Sequence, residues 1–88
     1  MELEVPSHRA IHDESVRETE LATSLVRARE IRRVTQAQLA AATGIKQPVI
    51  ARVERGQTPA VATLRKLAAA LNARVTIEPD GRTTFTTL

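Results

Sequence analysis

The segment from Thr35 to Gly56 constrains the fold of this chain more than any other part. Thr35 and Gln38 have the spacing of a capping box, in which two side chains satisfy backbone amides at the start of a helix. The helix would then cover Gln36–Thr43, and Gly44 follows it directly. Glycine readily takes the left-handed conformation that ends many helices. The segment is therefore predicted to begin with a short helix that stops abruptly.

A second short helix is predicted after the turn Gly44-Ile45-Lys46. It should start near Gln47, because Pro48 suits the first turn of a helix, where no amide donor is needed. It should run to Arg55 and stop at Gly56, since glycine again permits the backbone to leave the helix. The sequence thus predicts two short helices joined by a tight turn.

Residues at the predicted contact between these two helices have the sizes that close packing requires. Ala40 is small enough for a close approach, and Gly44 permits the turn. Ile50 and Val53 supply a buried apolar stripe on the second helix. The separations of four and six residues between Ala40, Gly44 and Ile50 match the geometry of a helix-turn-helix motif.

One further helix is expected on each side of this motif. A capping-box pattern at Ser15 and Glu18 predicts a helix that continues to about Arg33. The other helix should cover about Ala60–Leu71, with Asn72 as its stop. Apolar residues recur at helical spacing in both helices. They are Leu21, Leu25 and Ala28 in the first helix, and Leu64, Leu67, Ala68 and Leu71 in the second.

Residues 73–88 change character and are predicted to form a hairpin. Ala73–Glu78 alternates in polarity, Pro79-Asp80-Gly81 is a turn signal, and Arg82–Thr87 is rich in threonine. A lone two-stranded hairpin is marginal in water, so it must lie on the helices or pair with another chain. We predict a homodimer through this region, because three apolar side chains would be too exposed on a lone hairpin. They are Val75, Ile77 and Phe85.

Charge is distributed very unevenly along the chain. Residues 1–24 hold six acidic and two basic residues, a net charge of −4, whereas residues 25–88 hold eleven basic and four acidic residues, a net charge of +7. A basic body indicates a polyanionic partner, and an acidic head indicates a basic one. The alternative that the acidic residues form a solvated helix end stays open. The predicted organisation is an acidic head over 1–20, a helix-turn-helix domain over 21–72 and a strand or hairpin over 73–88.

Composition narrows the class of protein. The 88 residues include no cysteine, which excludes disulfides and thiolate metal sites. A single Phe with no Trp or Tyr leaves no aromatic platform for stacking unpaired bases, whereas duplex DNA is read by Arg, Lys, Gln and Asn. His8 and His12 lack further ligands and make a poor metal site, so neither a metal nor a cofactor is expected.

The residue sets of common catalytic sites are missing from the sequence. We find no Ser-His-Asp set, no pair of carboxylates placed for buried acid–base work and no Gly-rich phosphate loop. The first ten residues are polar, and no apolar run indicates a signal peptide or a transmembrane segment. We therefore expect a cytoplasmic protein that is not an enzyme.

Several residues of the central segment occur together in one known family. They are Thr35-Gln36, Leu39-Ala40, Gly44, Ile50, Glu54-Arg55-Gly56, Pro59 and Thr63-Leu64. With these residues the chain resembles the phage-repressor (Cro/C1, XRE) helix-turn-helix family over about residues 25–72. The resemblance implies a mainly α, lambda-repressor-like domain of five helices, with a recognition helix in the major groove of DNA.

The resemblance also implies which side chains face base edges, namely Gln47, Pro48 and Arg52. Glutamine pairs with adenine, and arginine grips guanine through two hydrogen bonds. Pro48 offers only a ring contact, for example to a thymine methyl group, and Ala51 is poor in contacts. Base readout therefore depends on few residues. The alternative for Gln47 and Arg52, that they are ordinary solvated residues, stays open.

Other positions match phosphate contacts and a structural ion pair of the family. Gln36 lies at a helix start, where backbone amides favour an anion. Lys46 and Arg55 would also contact phosphates, with simple solvation as the alternative. Arg29 and Glu54 match the positions of the ion pair, so Glu54 is interpreted as structural and not catalytic.

The layout of the chain resembles HigA-like antitoxins more narrowly, because an acidic head precedes the motif and a strand-forming end follows it. This implies an antitoxin that represses its own operon as a homodimer and neutralises a basic toxin, a RelE-fold endoribonuclease. The toxin would contact Ile11, Asp13, Glu14, Val16, Glu18 and Leu21. Two alternatives stay open: a repressor without a toxin, and a protein-interaction module that keeps the fold but does not grip DNA.

Overall fold

A computed structural model describes residues 20–88, which form four helices followed by one hairpin. Helix α1 occupies residues 20–31 of the described part. The remaining elements are α2 at Gln36–Thr43, α3 at Gln47–Val53, α4 at Val61–Ala70, β1 at Ala73–Ile77 and β2 at Thr83–Thr87. This arrangement confirms the predicted mainly α fold with a short terminal hairpin. Four helices rather than five lie in the described residues, and the hairpin follows α4 directly.

Helix α2 begins and ends as its sequence predicts. The Thr35 hydroxyl accepts a hydrogen bond from the Gln38 amide at 3.0 Å, and the Gln38 side chain accepts one from the Thr35 amide at 2.9 Å. Gly44 ends the helix with φ of +76°. A Cβ atom on Gly44 would meet no heavy atom within 4 Å, so the backbone conformation is what requires glycine here.

Two helices end earlier than the sequence predicts. Helix α1 stops at residue 31 rather than Arg33, because Arg33 itself takes the left-handed conformation with φ of +57°. Helix α3 stops at Val53 rather than Arg55, since the Gly56 amide bonds back to the Val53 carbonyl and tightens the last turn. Both ends are local turns that helical periodicity does not report.

The core contains the leucines that the sequence places on helix faces. Helix α2 packs against α3 and α4, and the predicted apolar face of α1 joins the same core cluster. The predicted positions on α1, α3 and α4 are all buried, and β2 adds one aromatic side chain. The buried residues are Leu21, Leu25, Ala28, Leu39, Ile50, Val53, Leu64, Leu67, Ala68, Leu71 and Phe85.

The hairpin lies on the helices and does not stand apart from them. Its strands pair antiparallel, with Val75 opposite Phe85. Phe85 is 5% exposed and belongs to the core, so it is not available as the predicted contact of a dimer. The Phe85 amide donates to the Ser24 hydroxyl of α1 at 2.9 Å, which ties β2 to that helix. Val75 is half-buried against the core, and Ile77 alone of the three stays 49% exposed.

Leu21 is also corrected by the structure. It is 1% exposed and belongs to the core, so it is not available for a toxin. The predicted capping box at Ser15 lies outside the described residues. So do His8, His12 and the other predicted toxin contacts, which are Ile11, Asp13, Glu14, Val16 and Glu18.

One arginine joins the end of α1 to the end of α4 and to the hairpin. Arg32 donates from Nε to the Leu71 carbonyl at 2.9 Å, and from Nη2 to the carbonyls of Asn72 and Leu88 at 3.1 Å each. The last carbonyls of a helix have no partner within the helix, so Arg32 supplies what α4 lacks. Within residues 20–88, none of the helices is long and apolar enough to cross a membrane.

Candidate nucleic-acid interface

Helix α3 has one buried face and one face open to solvent. Ile50 and Val53 are 0% and 2% exposed, and they anchor the helix against the core. Gln47, Pro48 and Arg52 are exposed on the other face. Arg52 lies one turn after Pro48, and its Nε donates to the Pro48 carbonyl at 3.3 Å. The three residues expected to read bases therefore share one accessible surface of a firmly packed helix.

The predicted ion pair holds the end of α3 to α1. Arg29 binds the Glu54 carboxylate in a two-pronged contact, with Nε–Oε2 at 2.7 Å and Nη2–Oε1 at 3.1 Å. Its remaining Nη1 donates to the Val34 carbonyl at 3.0 Å. The side chains are 17% and 8% exposed, so water screens the pair only weakly. The hydrogen bonds to Glu54 raise the pKa of Arg29, although desolvation opposes the change.

Gln36 also binds Glu54 of this ion pair, and this additional contact was not predicted from the sequence. Its Nε2 donates to Glu54 Oε1 at 2.8 Å, while its Oε1 accepts from Gln47 Nε2 at 3.5 Å, the outer limit of a hydrogen bond. A chain of polar contacts therefore runs from Arg29 through Glu54 and Gln36 to Gln47. Gln36 keeps one amide hydrogen for another acceptor.

The other two predicted phosphate contacts lie at the ends of α3. Lys46 is the N-cap residue of α3 and is exposed. Arg55 lies just beyond the C-cap and is also exposed. Together with Arg52, they place three positive charges around one short helix. Between residues 31 and 77, Glu54 is the only acidic residue of the sequence, and it is already paired with Arg29.

The contacts that the sequence missed join residues far apart in the chain. Gln36 and Glu54 are 18 residues apart, and Ser24 and Phe85 are 61 apart. Helical or strand periodicity reports only near neighbours, so no local signal indicates these pairs. Within residues 20–88, no three side chains of His, Asp or Glu lie close enough together to hold a metal ion.

Comparisons with known proteins agree with this geometry. The model of the helix-turn-helix family HTH_3 matches residues 25–77. An "uncharacterized HTH-type transcriptional regulator" from Haemophilus influenzae is 40% identical over 73 residues, which cover 77% of this chain and 74% of the relative. The fold is similar to the crystal structure of an HTH_3 family transcriptional regulator from Vibrio cholerae, with a TM-score of 0.64 and 29% identity.

The chain spans only part of the Vibrio cholerae regulator. That match covers 69% of this chain and 35% of the other. Both relatives are named as transcriptional regulators, which agrees with the prediction that this chain is not an enzyme. The family match covers more than half of the chain and includes α2, α3 and α4. The chain therefore belongs to the helix-turn-helix family HTH_3.

Proposed function

We propose that this chain is a transcriptional repressor that binds duplex DNA with α3 in the major groove. The supporting observation is the exposed face of α3, where Gln47, Pro48 and Arg52 lie side by side on a helix held by the Arg29–Glu54 pair. A helix fits the major groove of B-DNA, where each base pair shows a distinct pattern of donors and acceptors. The exposed polar side chains suit that pattern.

In this proposal each exposed residue of α3 has a separate role. Arg52 grips guanine through two hydrogen bonds, and Gln47 pairs with adenine. Lys46 and Arg55 contact phosphates on either side, and Gln36 uses its remaining amide hydrogen for a phosphate. Few side chains read bases, so one copy discriminates modestly. A homodimer on a palindromic operator would double the readout, with half-sites one helical turn apart.

Substitutions on α3 test these roles. Arg52→Ala and Gln47→Ala should each lose roughly 1–3 kcal/mol of binding on the preferred duplex and relax base preference at one position. Lys46→Ala should weaken preferred and random duplexes alike, because a phosphate contact carries no sequence information. Fluorescence anisotropy with both duplexes measures this, and Lys66→Ala, an exposed cation of α4, is the control. Equal losses on both duplexes for every variant would show that α3 does not read bases.

We also propose the narrower role of an antitoxin, because two segments of the sequence carry opposite net charges. Residues 1–24 have a net charge of −4, which DNA phosphates repel and a basic ribonuclease would attract. Ile11 and Val16 would supply the apolar part of that contact, without Leu21, which is buried. A reading frame for a small basic protein beside this one would support the antitoxin role over a repressor without a toxin.

Deleting residues 1–14 separates the two roles. On the antitoxin proposal, the shortened chain still binds the operator, or binds it more tightly, because repelling carboxylates are gone. It should fail to rescue cells that express the neighbouring toxin, since its contact surface is missing. Anisotropy measures operator binding, and a growth assay measures rescue. Full rescue by the shortened chain would show that the toxin binds elsewhere, on the basic part of the protein over residues 25–88.

A further inference from the structure

The outer edge of β1 is open in the described part of the chain. The Glu78 amide donates to the Arg82 carbonyl at 2.7 Å, and the Leu88 amide donates to the Asn72 carbonyl at 3.2 Å. Hydrogen bonding alternates along an antiparallel pair, so Arg74 and Thr76 bond towards β2 between these two positions. The amides and carbonyls of Ala73, Val75 and Ile77 therefore point away from β2.

Within residues 20–88, this edge receives no hydrogen bond from another element. The backbone groups of Ala73, Val75 and Ile77 have no hydrogen-bond partner outside the hairpin among the described residues. Ile77 is 49% exposed beside them. An exposed strand edge readily pairs with another strand, and charged residues on the edge decide which partner and register it accepts.

Two side chains of opposite charge lie on one face of this strand and have no ion-pair partner among residues 20–88. Arg74 and Glu78 are exposed, and neither forms an ion pair with another described residue. Four residues along a strand span about 13 Å, so the two side chains cannot meet within one chain. They share a face with Thr76, opposite the face on which Val75 packs against the core.

We propose that the β1 edges of two copies pair antiparallel around Thr76, so that Arg74 of each copy faces Glu78 of the other. In this register Val75 lies opposite Ile77 of the second copy, and both residues present outward amides and carbonyls. The two hairpins then form one four-stranded sheet. This deepens the homodimer of the proposed function by naming its interface and register.

Charge selects this register over its neighbours. A pairing centred on Arg74 would place the two Arg74 side chains directly opposite each other, which is destabilising. A pairing centred on Val75 would place Arg74 opposite Thr76 and would bring no opposite charges together. Only the pairing centred on Thr76 forms two Arg–Glu contacts across the dimer, and residues directly opposite in this way lie close enough to interact.

A charge swap on the full chain tests the register. Arg74→Glu and Glu78→Arg should each weaken the dimer about tenfold, because each turns two attractive pairs into repulsive ones. The double variant Arg74→Glu/Glu78→Arg should recover wild-type affinity. Sedimentation equilibrium without DNA gives the dimer dissociation constant, and Arg65→Glu, which reverses an exposed charge on α4, should leave it unchanged.

Ile77→Lys provides a second variant that does not depend on the register. A lysine at an exposed edge position hinders strand pairing, and Ile77 is exposed enough for the chain to stay folded. We expect a folded monomer by circular dichroism and sedimentation. A wild-type chain that stays monomeric, or single and double charge variants that dimerise equally well, would overturn the proposal. Binding of DNA by α3 is measured separately and would stand in either case.

Discussion

Glu54→Ala should lower the free energy of unfolding by about 3 kcal/mol, because it removes one partner of a largely buried ion pair. The Glu54 carboxylate accepts two hydrogen bonds from Arg29 and one from Gln36, and it is 8% exposed. Without it, the Arg29 guanidinium keeps one hydrogen-bond acceptor among residues 20–88, the Val34 carbonyl. A charge left in a poorly solvated position is costly. Urea denaturation measures the loss.

Two further variants show whether the pair itself is responsible. Glu30→Ala removes an exposed carboxylate from the same helix as Arg29 and should change stability by less than about 0.5 kcal/mol. Arg29→Met/Glu54→Leu replaces both charges with apolar groups and should recover much of the stability that Glu54→Ala loses. If Glu54→Ala and Glu30→Ala cost the same, the pair does not hold α3 in place.

Phe85→Ala should also lower the free energy of unfolding by about 3 kcal/mol, since it empties a space in the core. Phe85 is 5% exposed and is held against α1 by the bond from its amide to Ser24. Ile77→Ala is the matched control, because Ile77 is 49% exposed on the other strand of the hairpin. It should cost less than about 1 kcal/mol.

The comparison of these two variants decides whether the hairpin belongs to the folding unit. If Phe85→Ala costs no more than Ile77→Ala, the hairpin lies loosely on the helices. If Phe85→Ala costs several times more, the hairpin is part of the folding unit, and removing the hairpin by truncation after Asn72 would also remove part of the core. A truncated chain that no longer dimerises could then simply be unfolded. The charge swap at Arg74 and Glu78 is therefore a better test of the dimer interface than truncation.

The parts of the fold that the sequence predicts are those that depend on near neighbours. The capping box of Thr35 and Gln38 spans three residues, and Gly44 acts through its own backbone. The buried positions Leu64, Leu67 and Leu71 follow from helical spacing alone. Capping, glycine conformation and helical spacing each involve residues within one or two helical turns. They can therefore be predicted from a single sequence.

The parts that the sequence does not predict depend on how distant elements meet. The period of two along a strand places Phe85 on the same face as Thr83 and Thr87, but it does not show whether a helix covers that face. The same limit hides the contact between Gln36 and Glu54, which belong to different helices. The Arg29–Glu54 pair was predicted across 25 residues only because the family resemblance supplied it.

The most direct test of the proposed function is the affinity of the wild-type chain for duplex DNA at several salt concentrations. A duplex selected from a random pool should bind more tightly than a scrambled duplex of the same composition. The logarithm of the affinity should fall linearly with the logarithm of salt concentration, with a slope of about −0.9 for each phosphate contacted. Affinity that is independent of salt, with no preference for the selected duplex, would contradict DNA binding by α3.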